Sequence, residues 1–323
     1  MPDAIAVAPA ARPMTAPAMT ELNLSALIPE ALPLPPALLG ESPLWHPVEQ
    51  SLYFVDIPGK ALHRCDADGG DHRRWDFDSE PACCAPRVGG GLLLAMRDGL
   101  WQFDPESGRR SRLAEPPYDP AGQRYNDGKV DPQGRFWCGT IDDARRPQAA
   151  LFRHDARGTV RMAEGITTSN GLAFSPDGRT LYRSDTKAHQ VLAHDFDGQD
   201  GSLSRQRLFA QWAPRADGQS LDDYGGRPDG AAVDAQGRYW VAMFEGGHIA
   251  CLTPEGRVLG TLRLPVRCPT MCTFGGQDLR TLYITTARHG RPADELAAQP
   301  LAGRLLRVRL PEPGLPAHCV LPT

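Results

Sequence analysis

"ITTSNGLAFSPDGRTLYRSD", residues 166–185, contains Asn170-Gly171 and Asp177-Gly178, and either dipeptide is a strong hairpin-turn signal when apolar residues flank it. Only four residues of strand-like character, Leu172 to Ser175, lie between them, so one is the turn and the other serves another purpose. Two further stretches decide between them. "NDGKVDPQGRFWCGT" from Asn126 and "DGAAVDAQGRYWVAM" from Asp229 share the layout: a polar anchor, small or apolar residues, a turn glycine eight positions on (Gly134, Gly178, Gly237), then an aromatic-rich strand. The turn is therefore Asp177-Gly178, and Asn170 begins a strand.

The layout recurs along the chain. "ESPLWHPVEQSLYFVD" from Glu41 and "TMCTFGGQDLRTLYIT" from Thr270 repeat it, and "CCAPRVGGGLLLAM" from Cys83 is a degenerate copy. The anchors at 41, 83, 126, 170, 229 and 270 are separated by 42, 43, 44, 59 and 41 residues. A period in the low forties built of short strands and turns predicts an all-β, six-bladed β-propeller with four-stranded blades. The long step predicts an inserted loop, "QWAPRADGQSLDDYGGR" (211–227), on the binding face. Strand residues near 30–38 are placed to complete the last blade, although their prolines oppose sheet pairing.

Composition agrees. Glycine and proline together number 64 of 323 residues, well above the roughly 12% usual for the pair, as many tight turns require. Net charge is −4 with signs interspersed, which gives no basic stripe for nucleic acid and points to a small-molecule partner. No apolar run reaches the ~20 residues of a membrane span, and the start lacks the pattern of a signal peptide, so a cytoplasmic protein, monomeric or weakly homo-oligomeric, is expected. Residues 1–28, rich in Pro and Ala, are expected to be disordered or loosely attached, with 29–323 forming one propeller domain. The eight cysteines form no zinc-type pairs and read as reduced, semi-buried residues, Cys83-Cys84 being the least settled.

In a propeller, the first strands of successive blades converge on one axis. Glu41, Asn126, Asn170 and Asp229 would then form one ring, and oxygen-bearing side chains in a narrow channel are costly to bury unpaired. Taken singly, Asn126-Asp127-Gly128, Asn170-Gly171 and Asp229-Gly230 are ordinary turn sequences. Their shared offset from a second turn favours the ring. Two carboxylates and two amide oxygens suit a hard divalent cation such as Ca²⁺, Mg²⁺ or Mn²⁺.

"LGESPLW", "RYNDGKVDPQGRFWCGT", "TSNGLAFSPDGRTLY", "RPDGAAVDAQGRYWVA" and "TFGGQDLRTLYITTAR" resemble the hallmark segments of the senescence marker protein 30, or regucalcin, family, which includes gluconolactonases and luciferin-regenerating enzymes. The resemblance covers roughly 38–311 in the family's order. It implies a six-bladed propeller with one divalent metal and, for most bacterial members, hydrolysis of sugar lactones. It implies Glu41, Asn170 and Asp229 as metal ligands, Arg124 and Asn126 as substrate contacts, and Asp229 as general base. After "GT" the family often has Met followed by acidic residues, some reaching substrate. Here the run is Ile141-Asp142-Asp143-Ala144, which makes Asp143 the candidate substrate contact and leaves substrate choice open.

The parts imply a mechanism. The cation polarises the lactone carbonyl while Asp229 takes a proton from water, or else the cation acidifies its own water, a route better suited to Zn²⁺ or Fe²⁺ than to Ca²⁺. The expected substrate is an aldonolactone such as glucono-, galactono-, arabinono- or xylonolactone. Alternatives are a metal-dependent esterase or phosphotriesterase and a non-catalytic, metal-binding regulatory propeller. His46, His63, His154, His189, His194 and His248 share no offset and read as structural, with only His248 near the channel rim. Trp45, Trp101, Trp137 and Trp240 read as packing between blades. No GxSxG elbow is present, and "VGGGLLLAM" (88–96) lacks nucleotide-binding spacing.

Overall fold

The computed structural model describes residues 22–322. They form six four-stranded antiparallel sheets, and helix is confined to one short segment, Ala293–Ala298. The innermost strands are Gly40–His46, Pro81–Pro86, Gln123–Val130, Ser169–Phe174, Arg227–Val233 and Pro269–Gly275. Each packs against the next, and the sixth returns to the first, which closes the propeller. The three inner strands of a blade are apolar and buried, while outermost strands such as Arg73–Asp76 and Leu203–Gln211 are mostly exposed. The core is correspondingly divided into apolar clusters between neighbouring sheets rather than one central mass.

Repeated sequence gives repeated local chemistry. In "VDPQGRFW" the carboxylate of Asp131 accepts from the backbone N–H of Gln133 (2.9 Å) and Arg135 (3.0 Å), from Arg135 Nε (2.6 Å) and from Trp137 Nε1 (2.9 Å). In "VDAQGRYW" Asp234 does the same for Gln236, Arg238 and Trp240. One buried carboxylate thus fixes the turn, its arginine and the indole of the next strand. Trp45 stacks on Tyr283 of the last blade at 5.8 Å, and Trp101 lies half-buried between Arg110 and Arg112.

The ring is closed by the chain's beginning. Glu30–Ala31 pairs with Leu306–Arg309, and Leu32 N–H continues the contact to Leu305 O (2.9 Å) before Pro33 ends it. Of the expected N-terminal segment 1–28, residues 1–21 lie outside the described residues. Leu24 is buried against the last two blades with Leu22 and Leu27 beside it, so 22–27 is attached by apolar burial rather than loose. The C-terminal stretch crosses the far end of the channel, bonding to Ala235, Pro86, Val88 and Gly134 on three different blades. It roofs a mainly apolar hollow of about 260 Å³ lined by Leu44, Lys129, Phe174, Phe274 and Leu315.

Candidate metal and substrate site

Asn170-Gly171 does more than start a strand. The pairing of Asn170 with Ser184 jumps to Ala173 with Tyr182, so Gly171 and Leu172 bulge, and Gly171 sits at φ +61°. Register shifts occur at the same place in all six innermost strands, between Glu41 and Leu44, Pro81 and Cys83, Tyr125 and Gly128, Asn170 and Ala173, Pro228 and Ala231, and Pro269 and Met271. A bulge twists the strand and re-aims the side chains beside it. A Cβ on Gly171 would meet Tyr239 Oη, Ser184 Oγ (2.6 Å) and the Asp229 carbonyl (3.0 Å), which is why that position is glycine.

The re-aimed side chains meet across blades. Arg124 Nη1 donates to Asn126 Oδ1 (2.8 Å) and to the Tyr125 carbonyl (2.9 Å). Asn126 Nδ2 donates to Asn170 Oδ1 (2.5 Å) and the Ser169 carbonyl (3.1 Å). Asn170 Nδ2 donates to Thr186 Oγ1 (2.8 Å) and to Asp229 Oδ1. Ser184 Oγ, from the second strand, donates to the Asp229 carbonyl (2.9 Å). This chain joins blades three, four and five, and Glu41 of the first blade enters through its charge.

Burial and the Asp229 and Asp127 carboxylates hold Glu41 well above the usual carboxylate range. Burial likewise lifts Asp229 to about 8, opposed by Arg227 and further raised by Asp127. Asp127, raised to about 6 by burial, accepts from Leu172 N–H (2.8 Å) through one oxygen, while its other oxygen is buried without a partner. Burial, then the charges of Arg145 and Arg97, brings Arg124 down to about 10. Like charges crowd on both sides of the site.

These residues fit a divalent cation. Among the described residues no three His, Cys, Asp or Glu side chains converge closely enough to grip an ion unaided, so a cation held by Glu41 and Asp229 would need the amide oxygen of Asn170 as well. That amide presents N–H to Asp229 here, and ligation by its oxygen would need a half-turn of the amide. Glu41 and Asp229 are buried carboxylates that repel each other, and a dication between them would relieve that repulsion.

Over residues 39–288 the chain matches the family model described as SMP-30/Gluconolactonase/LRE-like region. The chain belongs to this family. It is 44% identical over 283 residues to 6-deoxy-6-sulfogluconolactonase of Pseudomonas putida, covering 86% of this chain and 94% of that protein. It is 33% identical over 299 residues to regucalcin of Oryctolagus cuniculus, covering 90% and 95%. A solved structure from Agrobacterium tumefaciens, described as a calcium-binding protein, regucalcin, superposes with a TM-score of 0.82 at 25% identity, over 88% of this chain and 94% of that one.

Among the residues that the family resemblance singles out, Asp143 stands apart. It is exposed at the channel mouth, and its carboxylate accepts from Arg97 Nη1 (3.0 Å). The inserted loop contributes Tyr224, whose hydroxyl lies 2.5 Å from His189 Nε2, beside a second hollow of about 480 Å³ lined by Glu245, His248 and Arg267. His248 is tied to the Gly246 carbonyl (2.9 Å). All eight cysteines are free; Cys83 Sγ lies 3.6 Å from Cys138 Sγ, whereas Cys84 faces Ser42. Among the described residues, no helix is long and apolar enough to cross a membrane.

Sequence reading overlooked two groups. Asp127 has a signal in hindsight, since it lies between an anchor and a glycine inside a bulge. Arg145 has none, because its relation to the site depends on how the 143–148 loop folds back.

Proposed function

We propose that this protein is a divalent-cation-dependent lactonase that opens an aldonolactone, of the glucono-, galactono-, arabinono- or xylonolactone type, to its aldonic acid. The observation that carries the reading is the continuous Arg124–Asn126–Asn170–Asp229 chain with Glu41's charge beside it, in a chain whose 44% identical relative is named a sugar lactonase. Glu41, Asn170 and Asp229 would hold the cation. Bound there, a divalent cation supplies a Lewis acid for the lactone carbonyl and keeps the two carboxylates ionised.

The chain's own groups do the rest. Asp229, fixed by Ser184 through its backbone and by Asn170 through its carboxylate, accepts the proton of the attacking water. Arg124 spends Nη1 on Asn126 and Tyr125, which leaves Nη2 and Nε to grip substrate hydroxyls. Asn126 holds Arg124 in register with Asn170, so the substrate's position is coupled to that of the base. Asp143 acts through Arg97, whose guanidinium it orients. The C-terminal roof restricts entry to the opposite mouth.

The test is elemental analysis of the purified protein with a panel of neutral aldonolactones and one phosphotriester, before and after chelation. Chelator-sensitive lactone opening supports the reading. Preference for the phosphotriester, or lactone hydrolysis indifferent to chelator, overturns it.

A further inference from the structure

We infer that the site's preferred lactone carries a tetrahedral oxyanion, a sulfonate or phosphate, at the end of the sugar remote from the lactone carbonyl, and that Arg145 receives it. The inference rests on the lactonase reading and narrows its substrate.

Pairing at the channel mouth carries the argument. Arg97 is committed to Glu80 (3.0 Å) and Asp143 (3.0 Å), and Arg227 faces Glu245 (3.3 Å). Arg146 closes on the buried carboxylate of Asp142 through Nε (3.2 Å), Nη2 (2.9 Å) and its own backbone N–H (3.0 Å). In the loop Asp142-Asp143-Ala144-Arg145-Arg146 every charge is therefore neutralised except one. Arg145 has no carboxylate within ion-pair distance among the described residues. Arg124, already bound to the Asn126 amide, is likewise without an acid partner.

Arg145 is also held. Its N–H bonds the Asp142 carbonyl (2.8 Å) and its φ is +59°, a left-handed conformation that a non-glycine residue adopts at some cost. The loop around it is pinned by Asp143 N–H to the Gly122 carbonyl (2.9 Å), and Arg97 bridges Asp143 to the Gln123 carbonyl (3.1 Å), next to Arg124. Its charge is felt at both Arg124 and Asp229. A neutral sugar gives these two guanidiniums, neither of them paired with an acid, nothing to neutralise, whereas a sulfonate or phosphate matches their planar donors. The name of the Pseudomonas putida relative, a 6-sulfo lactone, agrees with such a ligand.

The test uses the full chain with calcium and titrates three open-chain acids by calorimetry: gluconate, 6-phosphogluconate and 6-deoxy-6-sulfogluconate. Wild type should bind at least one charged acid about tenfold or more tighter than gluconate, as expected for a charged hydrogen bond. Arg145→Gln should remove most of that gain and leave gluconate within about twofold, while Arg145→Lys restores part of it. The stronger of the two charged acids identifies sulfonate or phosphate. Equal affinity for all three in wild type, or an equal loss for all three in Arg145→Gln, overturns the inference. Hydrolysis of unsubstituted gluconolactone, measured in parallel, reports on the lactonase reading alone. If it is present without a charge preference, only this inference fails; if neither it nor hydrolysis of the charged lactones is detected, the lactonase reading fails and this inference with it.

Discussion

Asp229→Asn should make the metal-free protein more stable and the enzyme inert. The carboxyl is raised from its ordinary 3.8 to about 8, chiefly by burial. A raised acid costs nothing below the unfolded value. Its penalty grows as pH climbs and levels off above the folded value. At pH 7 the displacement that counts runs from 3.8 to 7, a ceiling of about 4 kcal/mol. Asparagine keeps an oxygen to accept from Asn170 Nδ2 and carries no charge, so chelated Asp229→Asn should melt several degrees above chelated wild type at pH 7. The gap should be small near pH 4 and widen towards pH 8. Losing a general base should lower kcat by at least about a hundredfold. Differential scanning calorimetry with chelator at several pH values, alongside lactone turnover with cation restored, measures both. Identical melting at all pH values would refute the electrostatic account, and more than about a tenth of wild-type turnover with cation bound would refute Asp229 as the base.

Glu41→Gln should weaken calcium binding by about tenfold or more in a calorimetric titration, because one of two carboxylates is gone, without lowering the chelated protein's melting temperature. Gly171→Ala forces a Cβ onto Ser184 and the Asp229 carbonyl at φ +61° and should cost about 2 kcal/mol or more in urea unfolding, with kcat falling too. Asp234→Ala strips the partner from Arg238 and Trp240 and should cost about 3 kcal/mol in the same assay, yet leave kcat of the folded fraction close to wild type. Chelation should abolish lactone opening, and added divalent cation should restore it.

The repeat, the blade count and the ring anchors could be read from the chain because turn chemistry is local. A glycine at anchor plus eight and an Asp-x-Gln-Gly-Arg turn specify the same hairpin wherever they occur. The closing strand near 30 was also visible, although Pro33 cuts its pairing short. The bulges could not be read in this way: Asn-Gly looks the same whether it turns a hairpin or offsets a register, and only the partner strand distinguishes the two. Asp127 therefore passed as part of a turn when it is a buried carboxylate with an unpartnered oxygen.

The sequence by itself determined an architecture and a set of oxygen donors at equivalent positions. Tertiary structure alone decided their electrical environment. Which charges are spent is a matter of distance between residues far apart in the chain: Arg97 with Asp143, Arg227 with Glu245. Adjacent residues also part company, with Arg146 locked on Asp142 and Arg145 left unpaired beside it. Charge interactions fall with separation and depend on burial, and neither is fixed until the blades have closed into a ring.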